Sequence, residues 1–144
     1  MTVPAFRVDG VAATREAFYA VACDPSRSCI VEACAGSGKT WILVSRMLRA
    51  LLEGAAPHEI LAITFTRAAA GEMRERLHDW LARHSTAHSS HAERVAALID
   101  RGVARARAEV LADELATLHA RIQVLPEPAH ASTMQLRDGS HATA

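Results

Sequence analysis

Apolar positions along this chain recur at changing intervals, and each change marks an element. Residues 12–21, AATREAFYAV, are good helix formers with Phe18 and Val21 on one face, and CDPSRS then breaks the pattern. SCIVEAC, residues 28–34, is a short continuous apolar run of the kind a buried strand makes. Beyond two glycines, KTWILVSRMLRALLEG places Ile42, Leu43, Met47, Leu48, Leu51 and Leu52 on a helical stripe, which Gly54 and Pro57 close. EILAITF, residues 59–65, reads as a second apolar strand. Thr66 is a natural N-cap for RAAAGEMRERLHDWLARH, a helix with Met73, Leu77, Trp80 and Leu81 along one side. After the polar connector STAHSSHA, residues 93–122 carry Val95, Ile99, Val103, Val110, Leu111, Leu115, Leu118 and Ile122 at helical spacing, with a break expected at Gly102.

The order is helix, strand, helix, strand, helix, helix. Two strands separated by a helix form a βαβ unit, expected to be right-handed with its strands parallel. The fold class expected is therefore α/β: a partial parallel sheet with flanking helices over 12–83, followed by a helical segment over 91–122. Residues 1–11 read as an irregular lead-in, and 123–144, without usable periodicity, as a disordered tail.

A length of 144 residues allows one domain at most. Sixteen positive and sixteen negative side chains cancel, so no overall field advertises a polyanionic partner. Half of the chain is nominally hydrophobic, but alanine supplies much of that and aromatics only 4%, which predicts a thin core. Cys23, Cys29 and Cys34 are odd in number and form no CxxC pair, so neither a disulfide frame nor a zinc site is indicated. The N-terminus lacks the basic start and apolar core of a signal peptide, and no apolar run reaches membrane-spanning length. The expectation is a cytoplasmic protein with no membrane partner.

One charge stands apart. Lys39 is the only lysine among sixteen positive side chains, in a chain that otherwise uses arginine. It follows VEACAGSG. A strand, a glycine-bearing turn and a helix opening with Lys-Thr make a phosphate cradle: Gly36 and Gly38 let successive N–H groups point inward, and the helix adds its positive end. Residues 33–40 fit GxxxxGK[ST] with Ala33 in place of the first glycine, a turn position alanine can adopt if its φ stays negative. Ala33, Cys34, Ala35, Gly36, Ser37, Gly38, Lys39 and Thr40 are the nucleotide-binding candidates. Lys39 reaches the outer phosphates, and the Thr40 hydroxyl is placed to ligate Mg²⁺. A small-residue turn with no ligand is the bland alternative. The motif alone does not choose among kinases, GTPases and motors.

The stretch ILAITFTRAAAGEMRERL narrows the choice. With the first motif, it resembles the UvrD/Rep-like superfamily 1 DNA helicases, especially their AddA and RecB helicase–nuclease relatives. Thr64, Phe65, Thr66, Arg67, Ala69, Ala70, Glu72 and Met73 match that family's second motif, and Ala68 stands where the family usually has lysine. The likeness runs over residues 12–81. It implies a RecA-like P-loop NTPase domain, ATP as the nucleotide, Lys39 and Thr40 as catalytic residues, and contact with single-stranded DNA by Thr64, Phe65, Thr66 and Arg67. It also implies a role in DNA repair and recombination and a nuclease/helicase partner subunit.

The residues themselves agree in kind. A threonine-bearing turn at the positive end of a helix, with Arg67 beside it, suits a nucleic-acid phosphate, and Phe65 offers a ring to a base. The competing reading makes Phe65 core and Thr66 merely a cap. Upstream, the glutamine with which the family reads adenine falls in register on Thr14. Trp41, just after the loop, is open between stacking on a base and packing in the core.

The acidic strand that hydrolysis needs is not found. VLADEL offers Asp113 and Glu114, but inside a clean helical stripe, so both read as helix surface. No arginine finger and no second motor domain can be assigned. The expectation is the N-terminal piece of a helicase, truncated or frame-shifted, that binds nucleotide weakly and does not unwind alone. The rival class is a non-catalytic interaction module whose two strands need a partner to complete their sheet. A third, a small P-loop kinase, lacks an acceptor site and a lid. His84, His88 and His91 read as a solvated connector, and Arg101, Arg105 and Arg107 as a solvated helix face. Glu72 and Arg76 form an i,i+4 pair of small structural value.

Overall fold

A computed structural model describes residues 6–123. It opens on a hairpin. Arg7–Val8 (β1) pairs antiparallel with Val11–Ala12 (β2), and Asp9 and Gly10 turn between them at φ 50° and 79°. A two-residue turn with both φ positive matches the twist of the strands it joins, and Asp-Gly is the dipeptide that supplies it. The Thr14 hydroxyl then accepts from the Ala17 N–H at 3.1 Å and starts α1, Arg15–Ala22.

Four more α-helices follow among the described residues: α2 (Lys39–Leu52), α3 (Arg67–Arg83), α4 (His91–Asp100) and α5 (Arg105–Gln123). Local causes are visible at their ends. Thr66 caps α3 through the Ala69 N–H at 3.1 Å. Ser90 and Glu93 form a reciprocal capping box at the head of α4, the Glu93 carboxylate accepting from the Ser90 N–H at 2.7 Å. The helical segment breaks as expected at Gly102, whose φ is 80°.

The two segments expected to pair as parallel strands do not. Residues 28–34 and 59–65 carry no strand, and the β1–β2 hairpin is the only sheet among the described residues. The physical reason lies in their surroundings. Parallel strands persist in sheets covered on both faces, and a two-stranded remnant is marginal in water. Here Ile30, Leu61 and Ile63 stand 92%, 82% and 81% exposed, with no further strand beside them. The parallel sheet of the expected α/β fold is thus absent from the described residues, which are mainly helical. The tail reading for 123–144 falls, beyond Gln123, outside them.

Burial is concentrated in the helices. Leu48, Leu51 and Leu52 of α2, Leu81 of α3, Leu98 of α4 and Leu111, Leu115 and Leu118 of α5 share one apolar cluster. A smaller cluster of Ala22, Cys23 and Ile42 lies between α1 and the start of α2, with Phe18, Tyr19, Val31 and Trp41 against it. Inside the larger assembly sits Arg94, whose Nε donates to the Ala112 carbonyl at 2.9 Å and whose Nη1 donates to the Ser89 carbonyl, tying α4 to α5 and to the connector before it. Among the described residues no helix is long and apolar enough to cross a membrane.

Candidate nucleotide and nucleic-acid site

The loop before α2 is built on two left-handed glycines, Gly36 at φ 77° and Gly38 at φ 93°. A Cβ at either would meet nothing within 4 Å, so backbone conformation rather than space requires glycine there. Ala33 needs no such freedom, since Asp9 is the one non-glycine residue with positive φ among the described residues. Gly38 is the N-cap of α2 and has no side chain to satisfy the first-turn N–H groups, which leaves them for an anion. The Cys34 carbonyl gathers the turn: it accepts from Ser37 N at 3.3 Å, Ser37 Oγ at 2.6 Å and Lys39 Nζ at 2.8 Å. Lys39 Nζ also donates to the Ala33 carbonyl. The single ammonium therefore lies folded across the loop it closes. Residues 33–39 are exposed and Thr40 is half-buried.

Behind the loop, Arg46 fixes the incoming segment. Its guanidinium donates to the Ala22 carbonyl at 3.0 Å and the Arg27 carbonyl at 2.7 Å. Hydropathy reading passes over such a residue, because an arginine on a helix looks like surface.

Trp41 is half-buried. Tyr19 approaches its ring with centroids 4.8 Å apart, and the Arg101 guanidinium lies 4.7 Å from its centre. Arg101 departs from the expected solvated face. It is 5% exposed, while Arg105 and Arg107 do lie in solvent. The cause is the helix break: Arg101 is the C-cap of α4, so its side chain turns inward at the corner instead of continuing the outer stripe. Its Nη1 donates to Ser45 Oγ, which itself donates to the Trp41 carbonyl at 2.7 Å. Burial pulls its pKa down to about 10.

At the second turn, Phe65 is fully exposed at 107%, so it is not a core residue here. Thr66 does cap α3, while its hydroxyl proton has no acceptor among the described residues. Arg67 opens the helix, exposed, and no acid stands in the first turn. Thr64 is half-buried.

Asp113 and Glu114 lie on α5, as the helical reading has them. Asp113 pairs with His91 at 3.0 Å and Glu114 with Arg121. The connector histidines make local contacts: His88 meets Ser85 at 3.1 Å, and His84 Nδ1 donates to the Trp80 carbonyl at 2.7 Å while its ring stacks on Trp80 at 4.0 Å. Burial lowers the His84 pKa, an effect that the Trp80 carbonyl partly opposes. The unfolded chain then takes up this proton first, so the stabilising effect is whole above the ordinary histidine value of about 6.5 and is lost as pH falls through the window below it. Urea midpoints at pH 7.5 and 5.5 are expected to fall with acidification, and less steeply in His84→Phe. An unchanged slope in that variant would remove His84 from the account.

The family description UvrD/REP helicase N-terminal domain matches residues 13–134, and the chain belongs to that family. Over 54 residues it is 50% identical to an ATP-dependent helicase/nuclease subunit from Lactobacillus gasseri, a match covering 38% of this chain and 4% of that protein. A protein of the same name from Ligilactobacillus salivarius is 43% identical over 72 residues, covering 49% of this chain and 6% of its own length. The Clostridium perfringens counterpart is 51% identical over 59 residues, covering 38% and 5%. The chain thus spans a small fraction, 4–6%, of the curated relatives it matches. No solved structure matches it.

Proposed function

We infer that this chain is the ATP-binding segment of an ATP-dependent DNA helicase acting in DNA repair and recombination. One observation carries the reading: in a chain of this helicase family, the lone ammonium closes a loop of left-handed glycines at the bare head of α2. That donor set fits the phosphates of ATP. The first-turn N–H groups of α2 have no side-chain cap, and the acceptors Lys39 now uses are loop carbonyls that phosphate oxygens can replace. Lys39 would neutralise outer-phosphate charge, and the backbone of Ala33, Cys34, Ala35, Gly36, Ser37 and Gly38 would orient the chain of phosphates. Trp41 is the candidate for base contact. Thr40 would hold Mg²⁺ with phosphate oxygens and water, since no cluster of three His, Cys, Asp or Glu side chains suited to a metal exists among the described residues. Bound Mg-ATP supplies the phosphoryl bond whose hydrolysis drives strand movement.

Single-stranded DNA would meet Thr64, Phe65, Thr66 and Arg67. The bare Phe65 ring suits base stacking, and Arg67 sits at the positive end of α3 where a phosphate is favoured. Segments 28–34 and 59–65 would be strands of a RecA-like parallel sheet completed by the rest of a longer protein. Its partner would be a second helicase/nuclease subunit, in keeping with the names of the relatives. Alone, the chain is expected to bind nucleotide weakly and not to unwind DNA. The exposed Ile30, Leu61 and Ile63 favour a second reading, an interaction module completed by another chain. A melting temperature that rises with protein concentration would support it.

Titration with Mg-ATP tests the first reading. Lys39→Ala is expected to weaken binding about 10- to 100-fold, the worth of a charge-assisted hydrogen bond, while an exposed position leaves melting nearly unchanged. Equal affinity in the variant would sink it.

A further inference from the structure

A recess that borders Trp41 opens between α2, α3 and the α4–α5 corner, with a volume of about 500 Å³. Neither Lys39 nor the glycines of the loop line it; Trp41, Trp80 and Arg101 do. Arg101 forms no ion pair there among the described residues. Its guanidinium lies 4.7 Å from the Trp41 ring centre and 4.6 Å from that of Trp80, and Ser45 is its one hydrogen-bond acceptor among the described residues. Among those residues no carboxylate pairs with it, and its sequence neighbour Asp100 is already taken by Arg15 at 2.9 Å.

A guanidinium has five N–H donors, and burying a cation without a counter-charge is costly. The two indole faces offset part of that cost. Nε and Nη2 of Arg101 have no acceptor among the described residues, yet they are not among the fully enclosed orphan atoms, which both belong to Arg49. They therefore keep some access to solvent, and Arg101 lines the recess. A planar fork close to two rings in the lining of a recess matches an oxyanion better than any neutral group.

We propose that this recess binds a phosphate oxyanion, held bidentately by Nε and Nη2 of Arg101. Arg83 lines the same space and carries no ion pair among the described residues. Arg76 also borders it but is engaged by Glu72. Against these stand Asp100, neutralised by Arg15, and the exposed Asp79, so cationic character prevails at the inner end. The Trp80–His84 stack at its wall offers an aromatic surface to a base attached to that phosphate. Free phosphate and the phosphate of a nucleotide or a nucleic-acid strand share this chemistry.

The test uses the full 144-residue chain carrying Lys39→Ala, which takes the P-loop out of the readout. Inorganic phosphate, titrated at constant ionic strength against sodium chloride, is expected to change the fluorescence of the chain's two tryptophans along a saturating curve. Arg101→Lys is expected to weaken the apparent affinity about tenfold, because an ammonium cannot grip bidentately, and Arg83→Ala about threefold. An oligothymidylate that binds more tightly than inorganic phosphate through the same residues identifies a nucleic-acid source, and equal affinity identifies free phosphate. Nitrogen-15 spectra of the arginine Nε–H groups give a readout independent of any variant's folding: the Arg101 resonance should move with phosphate and that of Arg7 should not. A linear response matching chloride, an unmoved Arg101 resonance, or Arg101→Lys binding as tightly as its parent would overturn the proposal. Trp41 borders both places, but the Mg-ATP titration of the parent chain against Lys39→Ala reads the loop alone, so failure of one reading is distinguishable from failure of the other.

Discussion

Gly102→Ala is expected to destabilise the chain by about 3 kcal/mol or more, the sum of a left-handed conformation forced on alanine and of overpacking. The backbone at Gly102 has φ 80°, and a Cβ built there would lie 2.4 Å from the Tyr19 carbonyl oxygen and 2.7 Å from the Ala20 nitrogen. Both neighbours are backbone of α1 and cannot swing aside as a side-chain tip would. Relief requires α1 to separate from the α4–α5 corner, which breaks the Tyr19–Trp41 contact and uncovers Arg101. Gly36→Ala is the control, because its φ of 77° imposes similar strain but its Cβ would face open space. That variant should lose only about 1 kcal/mol. For a domain of this size the difference amounts to roughly 5–15 °C in melting temperature. Equal melting of the two variants would show that the corner does not rest against α1.

What hydropathy could read here was local. The stripe Ile42, Leu48, Leu51 and Leu52 gives α2, the Thr66 and Ser90 hydroxyls start α3 and α4, and Gly102 splits the last helical stretch in two. Each depends on residues within a turn or two of one another. The candidate loop was legible for the same reason: eight consecutive residues carry their own geometry, and the lone lysine marks its end. Strand pairing was not legible, because whether residues 28–34 lie beside 59–65 depends on distant neighbours that no short window contains. The two buried arginines escaped for another reason. A binary pattern assigns every arginine to solvent, yet Arg94 finds one carbonyl on α5 and another in the connector before α4, and Arg101 finds two indole faces across three elements. Phe65 shows the converse: hydropathy alone favours core for an aromatic at the end of an apolar run, the competing reading to nucleic-acid contact, and it stands bare because the sheet that would surround it is absent from the described residues.

Leu98→Ala is the second large effect, expected at about 3–4 kcal/mol from lost transfer energy and the cavity it leaves. Leu98 is fully enclosed and lies in the cluster that joins α2, α3, α4 and α5, together with Leu48, Leu81 and Leu115, which are also at or below 1% exposure. Such a site has little room to collapse. The cluster beneath the glycine loop before α2 is much smaller, and Ile42 is the one large aliphatic side chain buried in it, beside Ala22 and Cys23. Stability and candidate chemistry are therefore lodged in different parts of the chain. Ile42→Ala should cost less, about 2 kcal/mol, but should loosen the first turn of α2 and weaken nucleotide binding in the molecules that remain folded. Leu98→Ala should do the reverse: a large drop in urea midpoint with the affinity of the folded fraction unchanged. Nucleotide should then restore part of its lost stability by mass action, in proportion to the logarithm of ligand excess over Kd. Urea unfolding with and without Mg-ATP separates the two, and a Leu98→Ala stability within about 1 kcal/mol of the parent would show that the helical cluster does not hold the fold.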